Sequence, residues 1–469
     1  MNVSSLVAGK PITGGIMAVR SPHSGAEAGR VTMASRRDVE AAVAAAHEFR
    51  DTPNRFERAK ILDLTRAALE AQREDFARLI TSESGLALRE ARYEVGRTLE
   101  VLRCAAMEAL RDDGQIFSTD VSPQGKARKI FTTREPLRCA AAITPFNHPL
   151  NQVAHKVAPA IAAGTPLVLK PSEKTPLTAF KFAGLLYAAG LPGPMLSVLV
   201  GPTSEVAEPL VSHPAVELVA FTGSVAVGKK IASSAGYKKL VLELGGNDPL
   251  IVLDDADLDL AVTLAAEGSY RNSGQRCTAV KRILVENGIS ADFTSRLVEK
   301  TREYRCGDPM DENTLVGTVI DEASAERLET VLREAVARGA KVLIGGGRCG
   351  AFMEPTVIAD VPRDCRMVVC ESFGPLAPIL KVRDLDDALE VANSTAYGLS
   401  SGVVTTNLQS AIKAIKTLRC GSVNVNEIPG FRVESSPFGG IKDSGLGVKE
   451  GVIEAIKSFS YVKTFSLPW

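Results

Sequence analysis

From about residue 137 the chain alternates short apolar runs with stretches of helical spacing, and this alternation constrains its fold more than any other feature. Ala140-Ala141-Ala142-Ile143, Pro166-Leu167-Val168-Leu169, Leu196-Ser197-Val198-Leu199-Val200 and Leu218-Val219-Ala220-Phe221 read as strands separated by Gly and Pro, with helical stretches at 150–163, 176–189, 204–212 and 225–235. Strands that alternate with helices in this way imply a doubly wound parallel α/β sheet. A second α/β cycle begins near 240, with Leu250-Ile251-Val252-Leu253, Arg282-Ile283-Leu284-Val285, Lys341-Val342-Leu343-Ile344 and Gly402-Val403-Val404-Thr405 as its strands. Residues 36–111 are rich in Ala, Glu, Arg and Leu at helical spacing, as at Ile61, Leu62, Leu64, Ala67, Ala68 and Leu69, and read as amphipathic helices that cover a sheet. The charged segment 114–136 and the alternating terminus from Phe459 to Trp469 read as a small β excursion that pairs across a subunit interface.

At 469 residues the chain has room for about three domains. Its 55 basic and 55 acidic residues balance to a formal charge of zero with no long block of one sign, which gives no reason to expect a nucleic-acid or membrane-surface partner. The stretch from Met1 to Lys10 lacks a basic segment followed by an apolar one, and no later segment runs to ~18 apolar residues. The eight cysteines are scattered and the five histidines make no ligand spacing, so we expect a reducing cytoplasm, no disulfide framework and no metal.

Of these cysteines, Cys277 has a distinct setting. In Asn272-Ser273-Gly274-Gln275-Arg276-Cys277-Thr278-Ala279 it follows a Gly-containing polar turn and a cation, an arrangement expected to expose the thiol and lower its pKa. Cys139 leads into an apolar run and reads as a strand residue, while Cys104, Cys306, Cys349, Cys365, Cys370 and Cys420 sit in ordinary patterns where a free cysteine acts as a small buried hydrophobe.

Two segments suggest a nucleotide. Phe221-Thr222-Gly223-Ser224-Val225-Ala226-Val227-Gly228-Lys229-Lys230 joins a strand to a helix, where backbone N–H groups and the helix dipole favour phosphate. It is neither Gly-x-Gly-x-x-Gly nor a nucleotide-hydrolysing loop, because Lys230 replaces the hydroxyl that would hold magnesium. Lys170 and Glu173 stand at the C-terminal end of a parallel strand, where such sheets bind ligands; a carboxylate there can accept both hydroxyls of an adenosine ribose. Either segment alone is also compatible with a tight turn or a surface ion pair.

Taken together with Pro145-Phe146-Asn147-His148-Pro149, Leu242-Glu243-Leu244-Gly245-Gly246, Gly274-Gln275-Arg276-Cys277, Glu371-Ser372-Phe373-Gly374-Pro375 and Phe438-Gly439-Gly440-Ile441-Lys442, these segments resemble the ordered motif set of the NAD(P)-dependent aldehyde dehydrogenase superfamily across nearly the whole chain. The resemblance implies that family's fold: two Rossmann-like lobes and a small β oligomerisation element. It implies a cofactor-binding domain over 1–113 and 137–241 with 437–454 returning to it, a catalytic domain over 242–436, and an oligomerisation element from 114–136 and 455–469 of a homodimer or homotetramer.

It further implies that Cys277 attacks an aldehyde carbonyl, that the Asn147 amide and the Cys277 backbone N–H stabilise the oxyanion, and that Glu243 activates water to release a thioester. A carboxylate at Glu243 favours release of a free acid over transfer to coenzyme A. Cofactor contacts are implied for Ile143, Thr144, Pro145, Phe146, Lys170, Ser172, Glu173, Gly201, Gly223, Ser224, Leu244, Glu371 and Phe373. Glu173 would repel a 2′-phosphate, so NAD is preferred, with NADP tolerable.

For the substrate, Arg97, His148, Arg276 and Arg432, with Thr278, are expected around the thiol. A fork of arginines matches phosphonate, phosphate or carboxylate; the other reading is that some of these arginines are solvated or paired with Glu94 or Glu434. The expected reaction is oxidation of a small anionic aldehyde, with phosphonoacetaldehyde to phosphonoacetate first. Succinate semialdehyde, glyceraldehyde 3-phosphate and lactaldehyde are the alternatives, and a coenzyme-A-acylating or non-enzymatic member of the fold the alternative classes.

Overall fold

The computed structural model describes all 469 residues, Met1–Trp469. Two seven-stranded sheets dominate it. In the first, Lys239–Glu243, Leu218–Thr222, Ala140–Ile143, Leu167–Lys170 and Leu196–Val198 run parallel, and the hairpin Leu6–Val7 and Lys10–Pro11 closes one edge antiparallel. The expected strands of this lobe are all present, and the helices Asn151–Ala163, Leu177–Ala188, Ala207–Ser212 and Val225–Ser234 fall within the expected stretches. Ala140–Ile143 is alanine-rich and buried throughout, and Ala140 and Ala142 share one core with Val153, Ala154 and Val157 of helix Asn151–Ala163.

The second sheet runs Lys341–Ile344, Thr356–Ala359, Leu376–Val382, Val280–Glu286, Asp248–Val252, Ser400–Val404 and Ser422–Val425, all parallel except the first. Three of these strands were not anticipated. Leu376–Val382 carries Pro378, which in sequence reads as a strand breaker. It is accommodated opposite Ile358 in the parallel pairing with Thr356–Ala359, two strands in from the sheet edge. The N-terminal sheet of Asn2–Ser4, Glu27–Thr32 and Ile16–Arg20 was not anticipated, because its strands are short and lie outside the strand-helix alternation.

The chain crosses between the two large sheets over residues 244–247, so the change of sheet falls after Glu243, two residues beyond the expected 241/242 boundary. Both sheets therefore end near one crevice, at the C-terminal ends of the strands of the first. Helix Val452–Ser458 packs on helices Asn151–Ala163 and Leu88–Leu110, so the terminal β element begins at Ser460 rather than 455. Ser460–Pro468 pairs antiparallel along the length of Arg128–Pro136, which pairs in turn with Ile116–Ser118. No helix is long and apolar enough to cross a membrane.

Candidate active site

Cys277 follows a turn in which Asn272, Ser273 and Gly274 all adopt left-handed backbone angles, with φ of 57°, 52° and 69°. Such a run is costly and persists only where its surroundings fix it. Here they do: Asn272 Nδ2 donates to the Asn147 carbonyl at 3.0 Å, Ser273 Oγ to the Gly317 carbonyl at 3.1 Å, and the Ile320 N–H to Gln275 Oε1 at 2.9 Å. A Cβ at Gly274 would fall on the Gly374 carbonyl, so glycine is required there on two counts.

The thiol itself corrects an expectation. Burial pushes Cys277 up to about 11, opposed chiefly by Lys281 rather than by Arg276. The Arg276 fork turns back onto helix Leu258–Tyr270, where Nη2 donates to the carbonyls of Glu267 at 3.2 Å and Gly268 at 2.7 Å. Three other cysteines expected to be buried, Cys306, Cys349 and Cys370, are exposed; Cys365 and Cys139 are buried, and Cys104 and Cys420 are half-buried.

Asn147, Glu243 and Cys277 line one cavity of about 290 Å³, although they come from three separate segments. The buried Asn147 amide donates through Nδ2 to the Gln275 carbonyl at 2.8 Å, which aims it at the nucleophile turn. Glu243 is 3% exposed and neither carboxylate oxygen has a hydrogen-bond partner. Burial, then the charge of Glu450, raises its pKa well above the usual range, and Lys156 opposes them. Lys156 pairs with Glu450 and donates to Thr222 Oγ1 at 2.8 Å, so the base has a charged neighbour that is itself compensated.

The same cavity is walled by Pro145, Phe146, Gly223, Ser224, Leu244, Glu371 and Phe373. Ser224 caps helix Val225–Ser234, its Oγ accepting from the Val227 N–H. Phe373, at φ 58°, meets Phe146 edge-on with centroids 6.0 Å apart. Glu371 accepts from the Gly246 N–H at 3.2 Å, and a Cβ at Gly245 would fall on its carboxylate. Thr144 Oγ1 is buried without a partner at the end of strand Ala140–Ile143. A helix N-terminus, glycines that leave backbone bare, an aromatic pair and a carboxylate suit a dinucleotide. Lys170 pairs with Glu173 at 2.9 Å, and Glu173 also lines a separate groove of about 720 Å³. Ser172 accepts from the Lys174 N–H, Gly201 packs against the Ala34 carbonyl, and Thr278 is buried against Gly430.

Arg97 and Arg432 line a third cavity, of about 420 Å³. Arg97 is not a free cation, because Glu434 binds it through both oxygens. The Arg432 guanidinium lies 3.9 Å from the Phe438 ring centroid. His148 Nδ1 is 3.5 Å from Glu94 Oε2, too far for a good hydrogen bond. His148 Nδ1, Arg276 Nε and Arg432 Nη1 are all buried without partners. The pairing of an arginine with Glu434, one of the two readings the sequence offered, is found at Arg97, whereas Lys281, His155 and the Lys156–Glu450 pair escaped sequence reading. The one signal available was the charge of Lys156 and Lys281 within otherwise apolar segments.

Residues 11–465 match the family model described as the aldehyde dehydrogenase family. The chain is 40% identical over 445 residues to a 3-sulfolactaldehyde dehydrogenase of Priestia megaterium, covering 95% of this chain and 93% of that protein. It is 38% identical over 409 residues to a sulfoacetaldehyde dehydrogenase of Neptuniibacter caesariensis, covering 87% and 89%. Among solved structures, an aldehyde dehydrogenase from Physcomitrella patens in complex with the reaction product succinate superposes with a TM-score of 0.96 at 35% identity, covering 100% and 98%. An NADP-dependent glyceraldehyde-3-phosphate dehydrogenase from Bacillus halodurans complexed with NADP gives 0.96 at 33%, covering 100% and 99%.

Proposed function

The chain belongs to the aldehyde dehydrogenase family, and on that premise we propose that it oxidises a small anionic aldehyde to its carboxylate with NAD, and less readily with NADP. Cys277 Sγ attacks the carbonyl carbon as the thiolate, forming a C–S bond and an oxyanion. The Asn147 amide and the Cys277 backbone N–H receive that oxyanion; one N–H of Asn147 Nδ2 stays on the Gln275 carbonyl and orients the group, and the second is left for the substrate. When bound, the nicotinamide supplies the two-electron acceptor for the hydride that leaves the substrate carbon. Ser224, Glu371 and Phe373, with Lys170 and Glu173, are the residues placed to hold that cofactor. Glu243 then takes a proton from water, the hydroxide adds to the thioester, and the C–S bond breaks to restore the Cys277 thiolate.

One observation carries the substrate class: His148 Nδ1, beside Asn147 in sequence, and Arg432 Nη1, whose charge faces Cys277, are buried and have no partner within the protein. Buried donors are ordinarily satisfied, and an oxyanion of the substrate would satisfy these. Phosphonoacetaldehyde, giving phosphonoacetate, fits this donor set. Sulfonated aldehydes fit it equally, since a sulfonate offers the same tetrahedral face of three oxygens, and the sulfolactaldehyde and sulfoacetaldehyde dehydrogenases among the relatives support them. The eight free cysteines suit a reducing cytoplasm. The terminal sheet, with Tyr461, Val462, Phe465, Leu467 and Trp469 exposed, suits a homodimer or homotetramer contact.

The test is reduced-cofactor formation from phosphonoacetaldehyde, sulfoacetaldehyde, 3-sulfolactaldehyde, succinate semialdehyde, glyceraldehyde 3-phosphate, lactaldehyde and propanal, each with NAD and with NADP. We expect kcat/KM at least tenfold higher for an anionic aldehyde than for propanal, a difference of ~1.4 kcal/mol in transition-state binding. Preference for propanal would remove the anion site and leave the dehydrogenase.

A further inference from the structure

Beneath the nucleophile turn lies a buried cation that the chemistry above leaves without a part. Lys281 stands near the start of strand Val280–Glu286 in the interior of the second sheet and is 2% exposed. Its Nζ donates to the carbonyl of Arg276 at 2.8 Å and to that of Cys277 at 2.7 Å, and stands 3.2 Å from Glu371 Oε1. An ammonium has three N–H groups. All three are directed at partners, two of them on the nucleophile turn and the third on the carboxylate assigned to the cofactor.

This arrangement has two physical consequences. Holding the Cys277 carbonyl fixes the plane of the peptide that follows it, and so fixes the direction from which the thiol projects into the cavity. The charge on Nζ is also divided. The carboxylate of Glu371 and the polar backbone compete with the thiol for it, and Lys281 is the leading cation opposing the burial of Cys277. The other charged groups facing the thiol are Asp248, Glu371 and Arg432. Asp248 is buried beside Lys281, while Arg282 next in sequence points elsewhere, onto the carbonyls of Asn247, Val391 and Ala392.

We propose that Lys281 is a positioning residue that anchors the Cys277 peptide and divides its charge between the nucleophile and Glu371, so that the occupancy of Glu371 sets how readily the thiol ionises. A ligand that draws the Glu371 carboxylate towards ribose hydroxyls leaves more of the Lys281 charge facing the thiol. The inference rests on the reading of Cys277 as nucleophile and of Glu371 as a cofactor contact.

The experiment is alkylation of Cys277 by iodoacetamide in cofactor-free enzyme as a function of pH, followed on the Cys277 peptide by mass spectrometry because the chain has eight cysteines. Lys281→Met is expected to move the titration of the thiol to higher pH, slowing alkylation roughly tenfold per unit of displacement below the midpoint. Glu371→Gln, which removes one of the two carboxylates that compete for the Lys281 charge, is expected to move it to lower pH. Adding NAD to the unsubstituted enzyme is expected to act in the same direction as Glu371→Gln, and to do so less in Lys281→Met. Displacements of the two variants in one direction, or no displacement in Glu371→Gln, would overturn the proposal; a merely structural lysine gives no opposed pair. Should Lys281→Met fail to fold, Lys281→Gln, which keeps a donor but not the charge, takes its place in the same comparison, because Glu371 also faces the thiol directly and its variant does not decide alone. Dehydrogenase activity retained in Cys277→Ser would sink the functional reading, and the alkylation profiles would still report on Lys281 and the thiol.

Discussion

Glu434 grips Arg97 with both carboxylate oxygens, Oε1 to Nε at 2.5 Å and Oε2 to Nη2 at 3.1 Å, while Oε2 also meets His155 Nε2 at 2.6 Å. Arg432, two residues before Glu434, has no such partner. The neighbouring arginines therefore divide into one that is neutralised in place and one that faces the cavity with its charge uncompensated.

The Glu434 pair should be a stability element. Burial alone would raise the Glu434 carboxyl, but the His155 hydrogen bond and the Arg97 charge prevail and hold it well below the usual carboxylate range; His155 itself is pushed down by burial. A depressed carboxyl contributes stability that is present above its unfolded pKa and lost as pH falls through the folded one. Glu434→Gln leaves the Arg97 charge without its counterion and is expected to cost about 3 kcal/mol. Urea unfolding at pH 7 and at pH 4 checks both statements: the variant should unfold at lower urea, with a smaller change between the two pH values. An unaltered midpoint would make the pair incidental.

Arg432 should read the substrate's charge. Replacing it with alanine removes a buried charged donor, and hydrogen bonds to charged groups contribute ~1.5–3 kcal/mol, so kcat/KM for the preferred anionic aldehyde should fall roughly 10- to 100-fold. Propanal turnover should change by less than about threefold, since no charged group is lost from its complex. Steady-state kinetics on the pair of substrates decides, and equal losses would reassign Arg432 to packing against Phe438.

Why sequence reading reached some of this site and not the rest follows from the reach of each signal. Strands such as Leu218–Thr222 announce themselves because burial on both faces makes a run of apolar residues. Leu376–Val382 does not, because Pro378 interrupts the pattern and only the neighbouring strand shows how it is tolerated. The motif residues Cys277, Asn147 and Glu243 were legible by resemblance, and the structure brings them to one cavity. The environment of the thiol was not legible: a polar turn beside an arginine suggests exposure, whereas the turn is buried by contacts from Gly317 and Ile320, some forty residues further along the chain. Arg276 and Arg97 looked like a cationic fork, but direction and pairing are tertiary facts. Lys281 stands beside Arg282 in Val-Lys-Arg-Ile, so the two charges point to opposite faces of the strand, where a charge normally marks solvent; here both faces are covered.

Glu243 should limit the pH range of turnover. Its raised pKa, caused first by burial and then by Glu450, means that the base is protonated at pH values where an ordinary glutamate is ionised. Hydrolysis of the thioester needs the carboxylate, so steady-state kcat should fall as pH drops through that raised value. The first turnover depends on the Cys277 thiolate and not on Glu243, so loss of the base alone, at any one pH, should appear as a burst of reduced cofactor ahead of a slower steady rate. Glu243→Gln should show the burst at every pH, with the steady rate reduced by at least about 10². Stopped-flow absorbance separates the phases, and a variant without a burst would place the lost step before the thioester.

Gly439 should control the same base from the opposite side. A Cβ there would fall on Glu243 Oε1 and approach the Val448 carbonyl at 2.8 Å, and the backbone sits at φ +153°. Gly439→Ala is therefore expected to displace the Glu243 carboxylate, slow thioester release roughly tenfold and leave the KM for the aldehyde within about twofold, because the groups that bind substrate are untouched. Backbone strain alone could lower activity by loosening the loop, and Gly447 supplies the control: its φ is +78° but a Cβ there meets nothing within 4 Å. Gly447→Ala should cost ~1–2 kcal/mol of stability through strain and keep the steady rate. If the two variants slow release equally, the effect belongs to the loop and not to contact with the base; if Gly439→Ala alone slows it while retaining the burst, the glycine is there to leave room for the Glu243 carboxylate.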